Sequence, residues 1–298
     1  MAEIQDLTFE VNFDESQTYT DSPCNISVPG YEIVGLCGSG STAEVYVAIQ
    51  RSLSRQVALK VMQPHLIYDE ERISHFLQEG RINANLSHSN IIPIHDIGVV
   101  DDYHYISMEY MPWGNLRRHI KDTLDLNWTF KILKQITSAL AYSHEHGFIH
   151  RDIKPENILF RDENSAVLTD YGIADELEHH TEIVNKSSQG TPRYISPDLV
   201  RSKPIGPSSD IYSLGIVFYE MLTGKPPYDY GTPPYTRKDI VSVMFAHVRE
   251  PIPELPYDLR KLQPIINKML AKNPKNRFYK ANDVLEALDN FTRKYKFE

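Results

Sequence analysis

One stretch in the second half most constrains the fold of this 298-residue chain. Residues 209–224, SDIYSLGIVFYEMLTG, are apolar on nearly every side of a helical wheel. A helix at a protein surface carries an apolar stripe on one side only, so a helix that is apolar all round is enclosed by other elements. The sequence therefore predicts a helical body of considerable size around this segment.

The periodicity of the sequence changes near Met111. Short runs rich in β-branched residues predict strands before that point, at 31–36, 44–49, 56–62, 91–100 and 104–111. Apolar residues at helical spacing predict helices at 69–86, 128–147, 238–248, 259–271 and 282–296. A β-rich part joined to a larger α-rich part indicates two lobes, and clefts between lobes are common ligand sites.

Composition argues against several classes of protein. A net charge of -9 disfavours a nucleic-acid surface, and the longest apolar run is too short to cross a bilayer. Two cysteines are too few for a disulfide framework and favour a reducing compartment. Residues 1–29 contain six acids and no Lys or Arg, which predicts a mobile acidic arm. We expect a cytoplasmic protein with no nucleic-acid partner and no membrane segment in this chain.

The stretch FIHRDIKPENILF, residues 148–160, carries the most specific chemical signal. Phosphoryl transfer needs positioning and charge neutralisation more than covalent chemistry from the protein. Asp152 could orient a hydroxyl and accept its proton, Lys154 could steady the moving phosphoryl group, and Asn157 could bind Mg²⁺ through oxygen. A solvated surface loop would seldom combine these residues by chance.

Three further features are ambiguous when each is taken alone. Gly38 and Gly40 lie between two predicted strands, where backbone amides could approach phosphate oxygens or form only a tight hairpin. Lys60 sits among strand apolars, either reaching the surface or held inward by an anion. Asp170 follows the apolar run 166–168 and could hold a metal ion or form a surface turn.

Taken in order, these motifs resemble those of the eukaryotic-like (Hanks-type) Ser/Thr protein kinases over about residues 31–290. The matching stretches are the Gly-rich loop 38–43, VALK, HRDIKPEN, DYG, GTPRYISPD and SSDIYSLG. Late stretches such as GKPPY and LAKNPKNRF look most like bacterial members. The resemblance implies an α+β, bilobal protein-kinase-like fold, with a small β-rich N-lobe carrying one main helix and a larger α-helical C-lobe. It implies a kinase domain at 30–298, divided into N-lobe 30–108, hinge 109–114 and C-lobe 115–298.

The resemblance also implies roles for individual residues. The catalytic set is Asp152 as base, Lys154 on the γ-phosphate, Lys60 on the α- and β-phosphates with Glu79 as its partner, and Thr191. The Mg²⁺ ligands are Asn157 and Asp170. The nucleotide-binding set is Gly38, Ser39, Gly40, Val45, Ala58, Lys60, Met108, Glu109, Met111 and Leu159. Asp210 is expected to anchor the backbone of the catalytic loop.

Two departures from the family pattern have structural consequences. Asp198 stands where the family usually has Glu, so its pair with Arg277 has one shorter arm. Tyr171 occupies the middle of the Asp-x-Gly turn, and its hydroxyl needs a partner if it is buried. We predict a hydrogen bond from Tyr171 to Asn83, one helical turn beyond Glu79, that favours the active arrangement. The alternative is that Asn83 faces solvent and Tyr171 bonds elsewhere.

Regulation is also implied by the resemblance. Arg151 precedes the base, and an arginine at this place often pairs with a phosphate on the activation segment. The candidate phosphorylation sites there are Thr181, Ser187 and Ser188. We expect autophosphorylation and a role in signalling.

The predicted function is transfer of the γ-phosphoryl group of ATP to Ser or Thr hydroxyls of protein substrates, with Mg²⁺ as cofactor and Mn²⁺ as an alternative. A homodimer of the kinase is a further expected partner, by analogy. The rival interpretations are a pseudokinase that binds without turnover and a kinase of small molecules. The pseudokinase is disfavoured because all five polar residues of the family's active site are present, namely Lys60, Glu79, Asp152, Asn157 and Asp170. The kinase of small molecules is disfavoured by the GTPRYISPD stretch, which resembles a peptide-docking loop.

Overall fold

The computed structural model describes residues 26–120, 125–171, 193–229 and 236–295. The chain divides into two units, one formed by Met1–Gly80 with Pro93–Tyr110 and the other by Arg81–Ile92 with Met111–Glu298. The predicted N-lobe range of 30–108 includes residues 81–92, which belong to the second unit, and omits residues 109–110, which belong to the first. Residues 1–25 of the predicted arm lie outside the described residues.

The first unit contains a five-stranded antiparallel sheet with the order β1-β2-β3-β5-β4. Its strands are β1 Tyr31–Ser39, β2 Ala43–Gln50, β3 Arg55–Met62, β4 Ile94–Val100 and β5 Tyr103–Glu109. The five strands predicted from β-branched composition are therefore confirmed. Their bounds differ by up to three residues, because periodicity locates a strand's interior better than its ends.

The two faces of this sheet are separated by the alternation of side chains along each strand. Tyr46 pairs with Leu59 and Val61 pairs with Tyr105, so these side chains share one apolar face. Val28 is 2% exposed and packs in the same core, although the predicted arm extends to residue 29. Val28 is buried there because an apolar side chain next to a sheet gains by burial, and the mobile arm stays a prediction.

Helix α1, Glu70–Asn85, begins in the first unit and ends in the second. Gly80 is required where the helix meets the sheet of the first unit. A Cβ at this position would lie 2.9 Å from methyl groups of both Ile97 and Ile106. The glycine thus permits a close approach that no larger side chain would allow without displacement of both isoleucines.

The second unit is mainly helical. Its helices are α2 Leu116–His119, α3 Leu126–Glu145, α4 Pro197–Val200, α5 Pro207–Thr223, α6 Arg237–Arg249, α7 Gln263–Met269 and α8 Ala281–Tyr295. A hairpin of β6 Ile158–Asp162 and β7 Ser165–Leu168 accompanies them. Residues 81–92 join this unit because Asn90 and Ile92 bond to the backbone of β7.

Helix α5 lies at the centre of the second unit, as its all-round apolar sequence predicts. Every residue from Ser209 to Leu222 is buried. Gly215 faces α7 closely, since a Cβ there would lie 2.8 Å from atoms of Met269 and Leu270. Enclosure on all sides explains why the helix needs no polar face.

Among the described helices, none combines the length and apolarity needed to span a bilayer.

Candidate active site

A carboxylate of the buried helix α5 binds the backbone of the loop between α3 and β6. Asp210, 1% exposed, accepts the backbone N–H of His150 at Oδ2 and that of Arg151 at Oδ1, both at 2.8 Å. Its Oδ2 also lies 2.8 Å from Nε2 of His144 on α3. Three donors on one buried carboxylate fix the loop's backbone at the residues that precede Asp152.

His150 links this loop to the end of β7. Its Nε2–H donates to the Thr169 carbonyl at 3.0 Å, and its Nδ1 accepts the Asp152 N–H at 3.3 Å. Burial lowers the pKa of His150, although the charges of Asp210, Asp152 and Asp170 oppose this effect. A neutral ring with one donor and one acceptor nitrogen matches both bonds.

The carboxylate of Asp152 is oriented by two neighbours from its own loop. Lys154 Nζ donates to Asp152 Oδ2 at 2.6 Å, and Asn157 Nδ2 donates to the same oxygen at 2.9 Å. Asn157 Nδ2 also reaches the Asp152 carbonyl at 2.8 Å. Neither bond uses Oδ1, so this oxygen is left to accept a proton. The side chain of Asp152 is 47% exposed and can be reached by a substrate.

Lys154 lies among several acidic groups. Burial alone would lower the pKa of Lys154, but the charges of Asp152, Asp170 and Glu156 together with its hydrogen bond raise it. The ammonium is therefore charged at neutral pH. The ring of His150 contacts both the Asp152 N–H and the carbonyl of Thr169, the residue before Asp170, so one side chain connects the backbones of the two acidic positions.

A backbone hydrogen bond between Asn157 and the residue before Asp170 brings the two expected Mg²⁺ ligands near one another. Thr169 N–H donates to the Asn157 carbonyl at 3.0 Å, and Asp170 is the next residue. Since the Nδ2 group of Asn157 is used by Asp152, its amide oxygen is left as a ligand. One amide oxygen and one carboxylate are hard donors that suit Mg²⁺, which keeps further positions for water and phosphate. This donor set therefore fits the ion.

Two residues of this neighbourhood have backbone conformations that side chains rarely adopt. Arg151 has φ 70° and Asp170 has φ 60°, both in the left-handed region. Each such residue costs on the order of 1–3 kcal/mol and persists only where surrounding contacts hold it. Such residues cluster at functional sites, which supports a role for this loop in chemistry.

In the first unit, Lys60 forms an ion pair with α1. Its Nζ lies 2.6 Å from Glu79 Oε1, and the two side chains are 11% and 21% exposed. The ammonium is thus held inward by an anion, the second of the two interpretations of its position. This decides between them, because a lysine that reached the surface would be largely exposed.

The expected adenine contacts of the first unit lie on the face of the sheet that carries Lys60. Val45 pairs with Lys60 across β2 and β3, and Ala58 pairs with Met108 across β3 and β5. Cross-strand partners point to the same side, so these four side chains share one face. Glu109, next to Met108, ends β5 and donates its N–H to the Pro93 carbonyl at 3.0 Å.

Two expected nucleotide contacts belong to the second unit. Met111, 6% exposed, begins its larger segment, and its carbonyl accepts the Gly114 N–H. Leu159 lies on β6, where it pairs with Val167 and bridges to Asn115.

The Gly-rich stretch forms the turn between β1 and β2. Gly40 N–H donates to the Ala43 carbonyl at 2.9 Å, and Gln63 Nε2 donates to the Gly40 carbonyl at 2.7 Å. Ser39 ends β1. A Cβ at Gly38 would lie 3.7 Å from Val45 Cβ, and one at Gly40 would lie 3.5 Å from the Ala43 carbonyl. The fold itself would accept side chains here, so the glycines favour a ligand that approaches from outside.

Residues 31–287 match the sequence model of the family described as Protein kinase domain. This chain belongs to the protein kinase family. The resemblance and the fold class predicted from the motifs are thereby confirmed.

Several bacterial proteins are similar to this kinase. A probable serine/threonine-protein kinase of Clostridium acetobutylicum is 37% identical over 273 residues, which is 89% of this chain and 40% of that protein. Serine/threonine-protein kinase PrkC of Bacillus subtilis is 35% identical, with 85% of this chain and 39% of that protein covered. PknB of Mycobacterium leprae is also 35% identical, with 85% and 42% covered. This kinase chain thus spans about two fifths of the length of these relatives.

Among solved structures, the PknI kinase domain of Mycobacterium tuberculosis has a TM-score of 0.68 to this kinase. The two are 25% identical, and the alignment covers 89% of this chain and 96% of that one.

The kinase retains the ion pair of Asp198 despite the shorter acid. Arg277 Nη1 lies 2.5 Å from Asp198 Oδ2, and the two side chains are 0% and 2% exposed. The second oxygen of Asp198 makes no hydrogen bond within the described residues. The other donors of Arg277 reach carbonyls of Ala271, Lys272 and Ser208 instead. With the shorter side chain of Asp198, only one carboxylate oxygen bonds to Arg277, and the ion pair is still formed.

The predicted hydrogen bond between Tyr171 and Asn83 is not formed. Both side chains are buried, but the Tyr171 hydroxyl makes no hydrogen bond in the described part of the kinase. Its ring packs on His150 with centroids 4.5 Å apart, and burial raises the pKa of Tyr171, while nearby Ser143 partly offsets this. The prediction was wrong because helical spacing locates a residue's face and not the direction of a neighbouring hydroxyl.

Thr191, Thr181, Ser187 and Ser188 lie outside the described residues. Sequence reasoning also missed several residues that the fold brings to the catalytic loop, namely His144, Arg117, Tyr194 and Glu220. The signal for Glu220 was present, since an acid in an otherwise apolar helix requires a buried partner.

Proposed function

We propose that this kinase transfers the γ-phosphoryl group of ATP to Ser and Thr hydroxyls of proteins. The observation that carries the proposal is the Asp152 carboxylate, oriented by Lys154 and Asn157 on a loop anchored by Asp210. A positioned carboxylate beside a fixed positive charge suits a reaction that depends on alignment and charge neutralisation. The names of the bacterial relatives, which are serine/threonine-protein kinases, support the class of acceptor.

In the proposed mechanism, Asp152 orients the substrate hydroxyl and accepts its proton at Oδ1 as the oxygen bonds to the γ-phosphorus. The bond between that phosphorus and the β–γ bridging oxygen of ATP breaks, and ADP leaves with the bridging oxygen. Lys154 stabilises negative charge on the transferred group, and its raised pKa keeps it cationic during the reaction. Such general-base assistance contributes roughly 10²–10⁴-fold to rate. Neutral His150 keeps the backbone of Asp152 in place.

Asn157 and Asp170 would hold Mg²⁺, which supplies charge neutralisation for the phosphate oxygens when bound. Manganese is the alternative, because it also accepts oxygen ligands. Lys60, held by Glu79, would bind the α- and β-phosphates through its ammonium. The face with Val45, Ala58 and Met108, together with Glu109, Met111 and Leu159, would contact adenine.

Regulation through Arg151 remains part of the proposal. Asp210 fixes the backbone of Arg151, and the Arg151 guanidinium could form charge-assisted hydrogen bonds to a phosphate on Thr181, Ser187 or Ser188. Mass spectrometry after incubation with Mg-ATP should find phosphate on one of these residues. An unmodified segment in an active enzyme would contradict autophosphorylation at these sites. We also propose a cytoplasmic location, from the composition, to be tested by fractionation, and a homodimer, by analogy, to be tested by sedimentation.

The decisive experiment compares the wild type with Asp152→Asn in a radiolabel assay with ATP, Mg²⁺ and a generic protein substrate. We expect the amide to slow transfer by roughly 10²–10⁴-fold. Asp258→Asn, which changes an exposed acid of the same unit, is the matched control and should keep full activity. Phosphoamino-acid analysis should show phosphoserine or phosphothreonine.

Equal rates for the wild type and Asp152→Asn would overturn the assignment of the base. No transfer by either protein, with ATP binding retained, would favour the pseudokinase. Transfer only to small metabolites would favour a kinase of small molecules.

A further inference from the structure

A cluster of four polar side chains beside the catalytic loop is not used by the mechanism above. Its centre is Arg117 on α2, whose Nε donates to Glu156 at 2.8 Å and whose Nη1 donates to Glu220 at 2.6 Å. Its Nη2 donates to the hydroxyl of Tyr194. One guanidinium thus binds three groups from three separate segments, a geometry that a planar fork of donors permits and an ammonium does not.

The bonds within the cluster form a closed set. Tyr194 donates its hydroxyl proton to Glu220 Oε2 at 2.6 Å while it accepts from Arg117. Burial and the charge of Glu220 raise the pKa of Tyr194, so the phenol remains protonated and able to donate. Both oxygens of Glu220 are therefore satisfied, one by Arg117 and one by Tyr194.

Burial within the cluster is graded from one side to the other. The Glu220 side chain is 2% exposed, whereas those of Arg117 and Glu156 are 34% and 43% exposed. The cluster therefore opens to solvent at Arg117 and Glu156 and ends at a buried carboxylate. Without Arg117, the buried carboxylate of Glu220 would lose its ion pair, and a buried unpaired carboxylate is strongly unfavourable.

The cluster also joins two segments that matter for phosphoryl transfer. Glu156 lies in the 3₁₀ turn Pro155–Asn157 of the catalytic loop, and its charge acts on Lys154. Tyr194 lies in the stretch GTPRYISPD, which resembles a peptide-docking loop, and its carbonyl accepts from Ser213 at 2.7 Å. Arg117 therefore connects the catalytic loop with this segment through its bonds to Glu156 and Tyr194.

We propose that Arg117 is a positioning residue for the protein substrate: its guanidinium is an internal counter-ion that ties the Tyr194 segment to the catalytic-loop turn and fills a cation site that a basic substrate side chain would otherwise occupy. The substrate part of this inference rests on the proposed kinase function. The cation-site part does not, since it follows from the paired acids alone.

The test compares the wild type, Arg117→Ala and Arg118→Ala. Arg118 is a matched control, because it is the next residue, packs over Gly114 and makes none of the four bonds. Ethylguanidinium replaces the atoms that Arg117→Ala removes. We expect Arg117→Ala to melt roughly 5–15 °C below the wild type and to recover with millimolar ethylguanidinium chloride, but not with equal sodium chloride. The wild type and Arg118→Ala should not respond.

Kinetics then test the role toward substrate. Arg117→Ala should raise KM for a protein substrate by about tenfold or more while KM for ATP changes less than about twofold. On peptides with one arginine moved stepwise past the acceptor serine, the variant should gain about tenfold or more in kcat/KM at one position, relative to the wild type. Arg118→Ala should behave as the wild type does.

Melting that is unchanged in Arg117→Ala, or that does not respond to ethylguanidinium, would overturn the cation site. Restored melting with an unchanged substrate KM and a flat arginine scan would overturn the substrate role. If the wild type transfers no phosphate, the proposed function fails. The melting temperatures with and without ethylguanidinium still show whether Arg117 occupies a cation site. Should Arg117→Ala not fold, Arg117→Gln is used for melting and kinetics without the ethylguanidinium arm, because its side chain occupies the space that ethylguanidinium would fill. A melting temperature and a substrate KM equal to those of the wild type would then overturn the proposal.

Discussion

Replacement of Asp210 by asparagine tests how the catalytic loop is held in position. The carboxylate is 1% exposed and accepts three donors at 2.8 Å, from His150, Arg151 and His144. Asparagine has the same shape but a single acceptor oxygen. With that oxygen at the position of Oδ2 it keeps two bonds, and its NH₂ group then faces the N–H of Arg151.

The magnitude follows from these bonds. Hydrogen bonds to a charged group contribute about 1.5–3 kcal/mol each, and neutral ones about 0.5–1.5 kcal/mol. Asp210→Asn loses one charged bond, weakens two others by about 1 kcal/mol each, and leaves a buried N–H without a partner. We expect a loss of about 3–5 kcal/mol, a large fraction of the 5–15 kcal/mol typical of a folded protein.

Urea unfolding followed by tryptophan fluorescence measures this loss. The chain has two tryptophans, Trp113 and Trp128, and both belong to the second unit, so the signal reports on the unit that contains Asp210. The midpoint should fall with an unchanged slope. Phosphoryl transfer should fall as well, because the loop that carries Asp152 loses its anchor.

The matched control is Asp289→Asn on α8, which makes the same chemical change in a pair with Lys134 at 2.7 Å. That acid is 46% exposed, so its loss should cost less than about 1 kcal/mol. If Asp210→Asn unfolds at the same urea concentration as this control and retains activity, the three bonds to Asp210 do not hold the loop.

Two further predictions concern single buried groups. Tyr171→Phe should leave stability unchanged or raise it by up to about 1 kcal/mol, since it deletes a buried hydroxyl that makes no hydrogen bond in the described structure. Tyr212→Phe, which breaks a 3.0 Å bond to His247, should instead lose about 1 kcal/mol, and an equal loss in both by calorimetry would refute the argument. Burial lowers the pKa of Lys272 to about 8, so mass spectrometry of amine acylation against pH should show its reaction rising near pH 8, and a midpoint near 10 would contradict this. Between pH 8 and its unfolded pKa, the unfolded chain binds more protons at this site, so the contribution of Lys272 to stability rises with pH across that window.

Much of the fold follows from the sequence because its signals are local. Short runs rich in β-branched residues located all five strands of the first sheet, helical spacing located α1, α3, α6 and α8, and an all-round apolar stretch located α5. Each of these patterns marks residues that gain by burial, and burial is the dominant favourable term in folding. The predicted helix 128–147 ends at Gly147, which has φ 83° and lies two residues beyond the end of α3, where glycine commonly terminates a helix.

The candidate site divides in the same way. Asp152, Lys154 and Asn157 fall within six residues of one another, so their convergence is local and the motif alone brought them together. The contacts that anchor them are not local. Asp210 lies 60 residues from His150, and Arg117 lies 103 residues from Glu220.

The sequence alone thus determined the types of the elements, the family and the residues of the catalytic loop. Only the tertiary structure decided which polar groups meet across long separations, such as Arg117 with Glu220 and Asp198 with Arg277. The physical reason is a difference in range and precision. Apolar burial depends on the side of an element and tolerates small shifts, whereas a hydrogen bond requires two atoms within about 3 Å at a suitable angle. Tyr171 illustrates the difference, because its ring lies buried as its residue type predicts, while the direction of its hydroxyl was set by the packing around it.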